Sequence, residues 1–131
     1  MNVVGVGIDL VDVERFRVSL ERTPSMLERM FTEGERAYAL RANDPTERLA
    51  VRFAAKEAVM KALTVGLGAF GFHDVEVLRD DDGVPSLGVY GPALALADDR
   101  GVTGWQVSLT HTATSAGAVV VATGRLGVEL A

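Results

Sequence analysis

The amino-acid sequence predicts an α+β fold in which an antiparallel sheet accompanies one long central helix. The first observation is a helix-forming run at residues 45–63, which lies between predicted strands near the two ends of the chain. The second is a hairpin pattern, since β-rich runs at 75–78 and 85–89 flank turn residues at 81–83. Strands and helices do not alternate regularly, so a parallel βαβ protein is disfavoured.

The chain begins with a predicted strand at residues 3–9, which contains two glycines that would let another segment approach its backbone. Asp9 stands at the exit of this strand. An amphipathic helix is predicted at 11–22, with apolar residues on one face and Arg15 and Arg22 on the opposite face.

Two helix-start signals follow. The pattern at residues 32–35 has the form of a capping box and predicts a short helix. Asp44 followed by Pro45 pairs a good N-cap with proline at the first helical position, so the long helix is expected to begin there.

The chain is predicted to end in a helix and two strands. They are expected at residues 92–100, 105–111 and 116–123. The residues after Gly124 have the pattern of a frayed tail. No internal repeat or linker divides the sequence, so residues 1–131 are expected to form a single domain.

Composition limits the class of protein. The 131 residues are 48% hydrophobic and include no cysteine, so one core can form without disulfides. No signal-peptide pattern and no apolar run of about 18 residues is present, so we expect a cytoplasmic protein without a membrane partner. The net charge of −5 argues against general affinity for nucleic acid.

Charged residues interrupt the apolar surface of the long helix. Glu57 and Lys61 share a largely apolar face, and a helix that is apolar nearly all round is expected to be buried. A buried carboxylate is costly unless it is paired or bound to a metal. Glu57 therefore needs a partner, and one interpretation is a simple i,i+4 ion pair with Lys61.

The other interpretation joins Glu57 to Asp9. Asp9 by itself could be a helix N-cap. Two carboxylates from distant segments, without a cysteine or histidine cluster, suit a hard cation such as Mg²⁺ that also keeps waters and phosphate oxygens. The pair indicates a phosphate-handling site.

Further candidates are weaker by themselves. His111 ends a strand and could be an ordinary core or edge histidine. Arg52 could be a surface charge or a bidentate phosphate contact. Gly66 and Gly68 could cradle a phosphate through backbone N–H groups, although their loop does not match a Walker motif.

Three motifs carry a family resemblance: GID at 7–9, FAAKEA at 53–58 followed by KA at 61–62, and VSLTH at 107–111. In this order and spacing they resemble the 4′-phosphopantetheinyl transferases over nearly the whole chain. The small members of that family are similar to one half of longer, duplicated transferases. The resemblance implies the same fold and a homotrimer with active sites between subunits.

The implied reaction transfers the 4′-phosphopantetheine arm of coenzyme A to a serine of apo-acyl carrier protein and releases adenosine 3′,5′-bisphosphate. By the same resemblance Asp9 and Glu57 would be the Mg²⁺ ligands. These two residues and Lys61 would be catalytic, with Lys61 facing the phosphate. The resemblance leaves open whether Glu57 or a metal-bound water removes the serine proton.

The resemblance also implies binding roles. Arg52, Lys61 and His111 would face the coenzyme A phosphates. The loop of Gly66 and Gly68 would line the nucleotide pocket from a neighbouring subunit, although the sequence 64–66 departs from the family's usual Gly-Thr-Gly.

Arg15 and Arg22 would dock the acidic carrier protein. A noncatalytic trimeric binding module and a metal-dependent phosphohydrolase are the alternatives from other classes.

Overall fold

The computed structural model describes residues 2–125, and its elements follow the predicted order. The elements are β1 (Asn2–Asp12), α1 (Val13–Arg22), α2 (Met26–Met30), α3 (Glu33–Ala39), α4 (Thr46–Ala62), a 3₁₀ turn (Phe72–Asp74), β2 (Val75–Arg79), β3 (Pro85–Val89), α5 (Gly91–Asp99), β4 (Val102–His111) and β5 (Ser115–Gly124). The predicted frayed tail lies outside the described residues, which end at residue 125.

The strands form two antiparallel sheets, which confirms the α+β prediction. One sheet has the order β1-β5-β4, and the other is the predicted hairpin of β2 and β3. In the first sheet Asp9 lies opposite Ala118, and His111 lies opposite Ala116. None of the helices within residues 2–125 is long and apolar enough to cross a membrane.

The glycines of β1 allow this strand to pack directly on the backbone of α4. A Cβ atom built on Gly7 would lie 1.8 Å from the carbonyl oxygen of Ala58, and one on Gly5 would lie 2.0 Å from that of Ala62. No side chain fits in this space. The close approach predicted from the sequence is therefore confirmed, and it brings the end of β1 beside the last turns of α4.

Strand β1 continues three residues beyond its predicted end. Its pairing with β5 extends to Asp12, which lies opposite Ser115. Asp12 is also the N-cap of α1, because its Oδ1 accepts a hydrogen bond from the backbone N–H of Arg15 at 2.9 Å. Asp9 is therefore a strand residue, and the interpretation of Asp9 as a helix cap is wrong.

The helix starts are local and follow the sequence signals. The capping box of α3 is confirmed, since Thr32 and Glu35 bond to each other's backbone N–H groups. Helix α4 begins at Thr46, one residue later than predicted, so that Pro45 is its N-cap residue; the N–H of Thr46 donates to Asp44 Oδ1 at 3.0 Å. The short helix α2 was not predicted.

Lys56 is among the charged residues of α4 that are buried, whereas Glu57 is not. Lys56 is 0% exposed, and its Nζ donates to Glu35 Oε1 at 2.8 Å and to the carbonyls of Phe72 and Val75. Burial lowers the pKa of Lys56, and the Glu35 carboxylate opposes this effect. Glu57 is only half-buried. The expectation that Glu57 is buried is wrong, because the sequence of a helix that is apolar nearly all round does not reveal which side meets a cleft.

Replacing Gly7 with alanine tests the contact between β1 and α4. We expect Gly7→Ala to lower the free energy of unfolding by more than about 3 kcal/mol, because the new methyl group meets a backbone oxygen that cannot move aside. Chemical denaturation followed by circular dichroism measures the loss. Gly66→Ala is the control, since nothing lies within 4 Å of its Cβ position. Equal stability of the two variants would contradict the contact.

Candidate active site

Lys61 ties the end of α4 to β1. Its Nζ donates to the carbonyl of Ile8 at 2.9 Å and to Asp9 Oδ1 at 3.0 Å. The Lys61 side chain is 54% exposed and that of Asp9 is 17% exposed, so the pair stands at the surface of the domain. Lys61 is therefore paired with Asp9, and the simple ion pair with Glu57 is not the arrangement found.

Glu57 stands close enough to Asp9 for the two carboxylates to repel each other. Burial raises the pKa of Glu57, the negative charge of Asp9 raises it further, and Lys61 partly offsets both effects. The charge of Asp9 thus disfavours the ionised form of Glu57, and a cation between the two carboxylates would relieve this repulsion. The ammonium group of Lys61, which contacts Asp9, already supplies part of the positive charge.

The donor set fits a magnesium ion shared with a substrate. Mg²⁺ in phosphate-transfer sites is commonly held by one or two carboxylates, and waters and substrate phosphates complete its coordination. Asp9 and Glu57 supply those two carboxylates. Within residues 2–125 there is no cluster of three or more histidine, cysteine, aspartate or glutamate side chains. A metal held entirely by this part of the chain is therefore not indicated.

A cleft of about 460 Å³ opens beside the two carboxylates, between β1 and α1. Asp9 and Glu57 lie along this cleft together with Arg15. Its apolar wall includes Phe16 and Phe53, whose ring centroids are 5.5 Å apart. The cleft thus joins an acidic pair to an apolar surface that carries an exposed arginine.

The exposed face of α1 that carries Arg15 and Arg22 extends beyond this cleft. Arg15 also borders a shallow groove of about 300 Å³ that includes Arg22. Both arginines are exposed, as the amphipathic pattern predicted. The groove and the acidic pair are therefore linked through Arg15.

A second cleft, of about 340 Å³, is lined by side chains of α4, β4 and β2. It contains Arg48, Arg52, Arg79 and His111. Arg52 is only 2% exposed, and burial lowers its pKa. Its Nε is buried and has no hydrogen-bond partner among the described residues. At the rim, His111 Nδ1 lies 3.0 Å from Glu47 Oε1.

The structure keeps Gly66 and Gly68 away from both clefts formed by residues 2–125. They lie in an exposed loop after α4, and nothing is within 4 Å of a Cβ placed on either residue. Gly68 has φ +94°, a conformation that favours glycine. Their role in the pocket of a neighbouring subunit stays a prediction.

Three charged or aromatic residues of the second cleft, Tyr38, Glu47 and Arg79, were missed in the sequence. Arg79 ends β2 and reaches α4 only because the hairpin packs beside it, so no local pattern marks it. Glu47 reads as an ordinary acidic residue in the first turn of a helix. A signal existed for Arg48, which is one turn before Arg52 on the same helix.

Comparison with known proteins places this chain in a family. The family model of the 4′-phosphopantetheinyl transferase superfamily matches residues 5–120. A holo-[acyl-carrier-protein] synthase of Streptomyces avermitilis is 48% identical over 124 residues, which cover 95% of this chain and 100% of the relative. One of Salinispora arenicola is 50% identical over 121 residues, or 92% of this chain and 98% of the relative.

A solved structure extends the comparison to three dimensions. The crystal structure of a holo-(acyl-carrier-protein) synthase from Bacillus anthracis in complex with CoA (3′,5′-ADP) superposes with a TM-score of 0.78 at 34% identity, covering 94% of this chain and 98% of that chain. The fold and the matches define the protein as a transferase. The chain belongs to the 4′-phosphopantetheinyl transferase superfamily and, within it, to the holo-[acyl-carrier-protein] synthases.

The repulsion between the two carboxylates predicts an unusual stability change. We expect Glu57→Gln to raise the free energy of unfolding of the metal-free protein at neutral pH, because the ionised carboxylate is disfavoured in the folded state. Thermal unfolding in the presence of a chelator measures the gain. Glu47→Gln, at the other glutamate of α4, removes the partner of His111 and should not stabilise.

The pH dependence gives this prediction a second readout. The pKa of Glu57 is raised above its ordinary value of 4.5. The ionised carboxylate therefore lowers the free energy of unfolding by its full amount only at pH values above the raised pKa. This effect disappears below about pH 4.5, where both the folded and unfolded chains hold the proton. A stability gain that is independent of pH would show that it has another origin.

Proposed function

We propose that this protein transfers the 4′-phosphopantetheine group of coenzyme A to a serine hydroxyl of apo-acyl carrier protein, in a Mg²⁺-dependent reaction that gives holo-acyl carrier protein and adenosine 3′,5′-bisphosphate. The observation that carries the proposal is the contact between Lys61 and Asp9 at the cleft that Glu57 also faces. Membership in the superfamily and the coenzyme A complex of the Bacillus anthracis relative support the substrate.

Phosphoryl transfer depends mainly on positioning and charge stabilisation. Asp9 and Glu57 would hold the Mg²⁺ ion, which when bound supplies positive charge to the phosphate oxygens. Lys61 lies against Asp9 and brings a further positive charge to the reacting phosphate. Glu57 also lines the cleft beside Asp9 and can accept the serine proton directly or through a water.

The second cleft suits the phosphates of coenzyme A. Arg52 is buried there without a carboxylate within ion-pair distance among residues 2–125, and His111 stands at the same opening. An unpaired buried guanidinium favours an anionic ligand, because the ligand replaces the hydration that the side chain has lost.

The exposed arginines of α1 suit an acidic carrier protein. Arg15 borders both the reaction cleft and the groove that contains Arg22. A carrier docked on this groove would bring its serine beside Asp9 and Glu57. Complementary charge at such a surface mainly increases the rate and the specificity of association.

We also propose a homotrimer. The face of β1 turned away from α4 is apolar, since Val6, Ile8 and Leu10 are 57%, 68% and 73% exposed. These alternate residues lie on one face of the strand. An exposed apolar sheet face of this kind indicates a protein interface, and subunit packing would bring other chains near the clefts.

Mutation of Glu57 tests the reaction. Glu57→Gln should lower the rate of transfer at least about 100-fold, because it removes a metal ligand while keeping the shape of the side chain. Mass spectrometry of the carrier protein, incubated with coenzyme A and Mg²⁺, measures the added phosphopantetheine. Glu33→Gln, at the exposed start of α3, is the control.

Two results would contradict the assigned reaction. Wild-type activity of Glu57→Gln would remove this residue from the chemistry. Release of free phosphopantetheine by the wild-type protein without any carrier present would instead favour a phosphohydrolase.

A charged residue on the outer face of β1 tests the trimer. Ile8→Lys should lower the particle mass measured by light scattering to one third of the wild-type value, because a buried lysine at a subunit interface is costly. Leu40→Lys is the matched control, since Leu40 is also exposed but lies after α3. A wild-type particle with the mass of a single chain would refute the trimer.

A further inference from the structure

Tyr38 stands at the centre of a group of arginines that come from different elements. The guanidinium carbons of Arg48, Arg52 and Arg79 lie 4.3, 4.5 and 4.9 Å from the centroid of its ring. Tyr38 belongs to α3, the first two arginines to α4, and Arg79 to β2. All three distances are within the range in which an aromatic ring attracts a cation.

No ion pair among residues 2–125 brings the three arginines together. The ion pairs in this part of the chain involve other side chains. Burial lowers the pKa of Arg52, and the charges of Arg79 and Arg48 lower it further, although the charge of Glu35 opposes them. The aromatic ring is a contact that all three arginines share, and it opposes their mutual repulsion.

Main-chain contacts hold two of the side chains but do not replace the ring. Arg48 Nη1 donates to the Tyr38 carbonyl at 2.9 Å, and Arg52 Nη1 donates to the Arg48 carbonyl at 3.1 Å. Both acceptors are backbone atoms, which remain when the Tyr38 side chain is changed. The effect of the ring can therefore be separated from these hydrogen bonds.

We propose that Tyr38 is a positioning residue, which holds the three arginines together as a receptor for the phosphate monoester of coenzyme A. This inference rests on the proposed function. The pyrophosphate of the substrate must reach Glu57 and Lys61, because its P–O–P linkage breaks there. The monoester carries up to two negative charges, and the arginine cleft supplies several donors for it.

Two substrates and two variants test the role of the ring. With coenzyme A, Tyr38→Leu should raise KM about tenfold. With dephospho-coenzyme A, which lacks the monoester, the same variant should have the KM of the wild type. Tyr38→Phe keeps the ring and should behave as the wild type with both substrates. An equal rise for both substrates, or no rise with coenzyme A, would overturn the proposal.

A second variant at Tyr38 serves as a control for loss of folding. If circular dichroism shows that Tyr38→Leu does not fold, Tyr38→Met supplies a longer, flexible side chain without the aromatic ring and should give the same selective loss. Retention of wild-type KM for coenzyme A by a folded Tyr38→Met variant would also overturn the proposal.

A binding measurement separates this inference from the proposed reaction. Calorimetry with 3′,5′-ADP and with 5′-AMP needs no turnover, and Tyr38→Leu should weaken only the binding of 3′,5′-ADP. A wild-type protein without transfer activity but with this pattern would refute the reaction and support the role of Tyr38. Equal binding of 3′,5′-ADP by wild type and variant would refute the role of Tyr38, whatever the activity.

Discussion

The close packing of β1 on α4 is the constraint on which the candidate active site depends. Gly5 and Gly7 bring a strand backbone against a helix backbone, at a distance that leaves no room for a Cβ atom. Asp9 follows on the same strand and meets Lys61 of the helix at 3.0 Å. A pair of glycines thus replaces side-chain packing with a backbone contact, and that contact brings together charges that are 52 residues apart in the sequence.

The orientation of α4 about its own axis is stabilised by a buried contact of Lys56. Lys56 points into the core, where Glu35 and two backbone carbonyls accept its hydrogen bonds. Removing one partner of such a pair would leave an uncompensated buried charge, which typically costs 3–5 kcal/mol. With Lys56 inside, Glu57 faces the cleft beside β1, and Arg52 lines the second cleft. One helix therefore presents an acidic site and a basic site in fixed relation.

Many of the arginines of this acidic protein gather at two places in the structure. The chain carries a net charge of −5, yet its arginines concentrate around Tyr38 and along the exposed side of α1. Local fields, not the total charge, govern how an anionic substrate or an acidic partner approaches a surface. An acidic protein can thus offer basic surfaces where the proposed substrates would bind, while Asp9 and Glu57 supply negative charge at the proposed metal site.

The sequence by itself determined the local features: the α+β class, the helix start after Asp44, the capping box, the hairpin and the glycines of β1. These depend on neighbouring residues, so short patterns reveal them. Only the tertiary structure decided that Lys56 is buried while Glu57 is not, that Lys61 pairs with Asp9, and that Arg79 joins the arginines of α4. Each of these contacts joins residues far apart in the chain, and its geometry depends on how whole elements pack and rotate against one another.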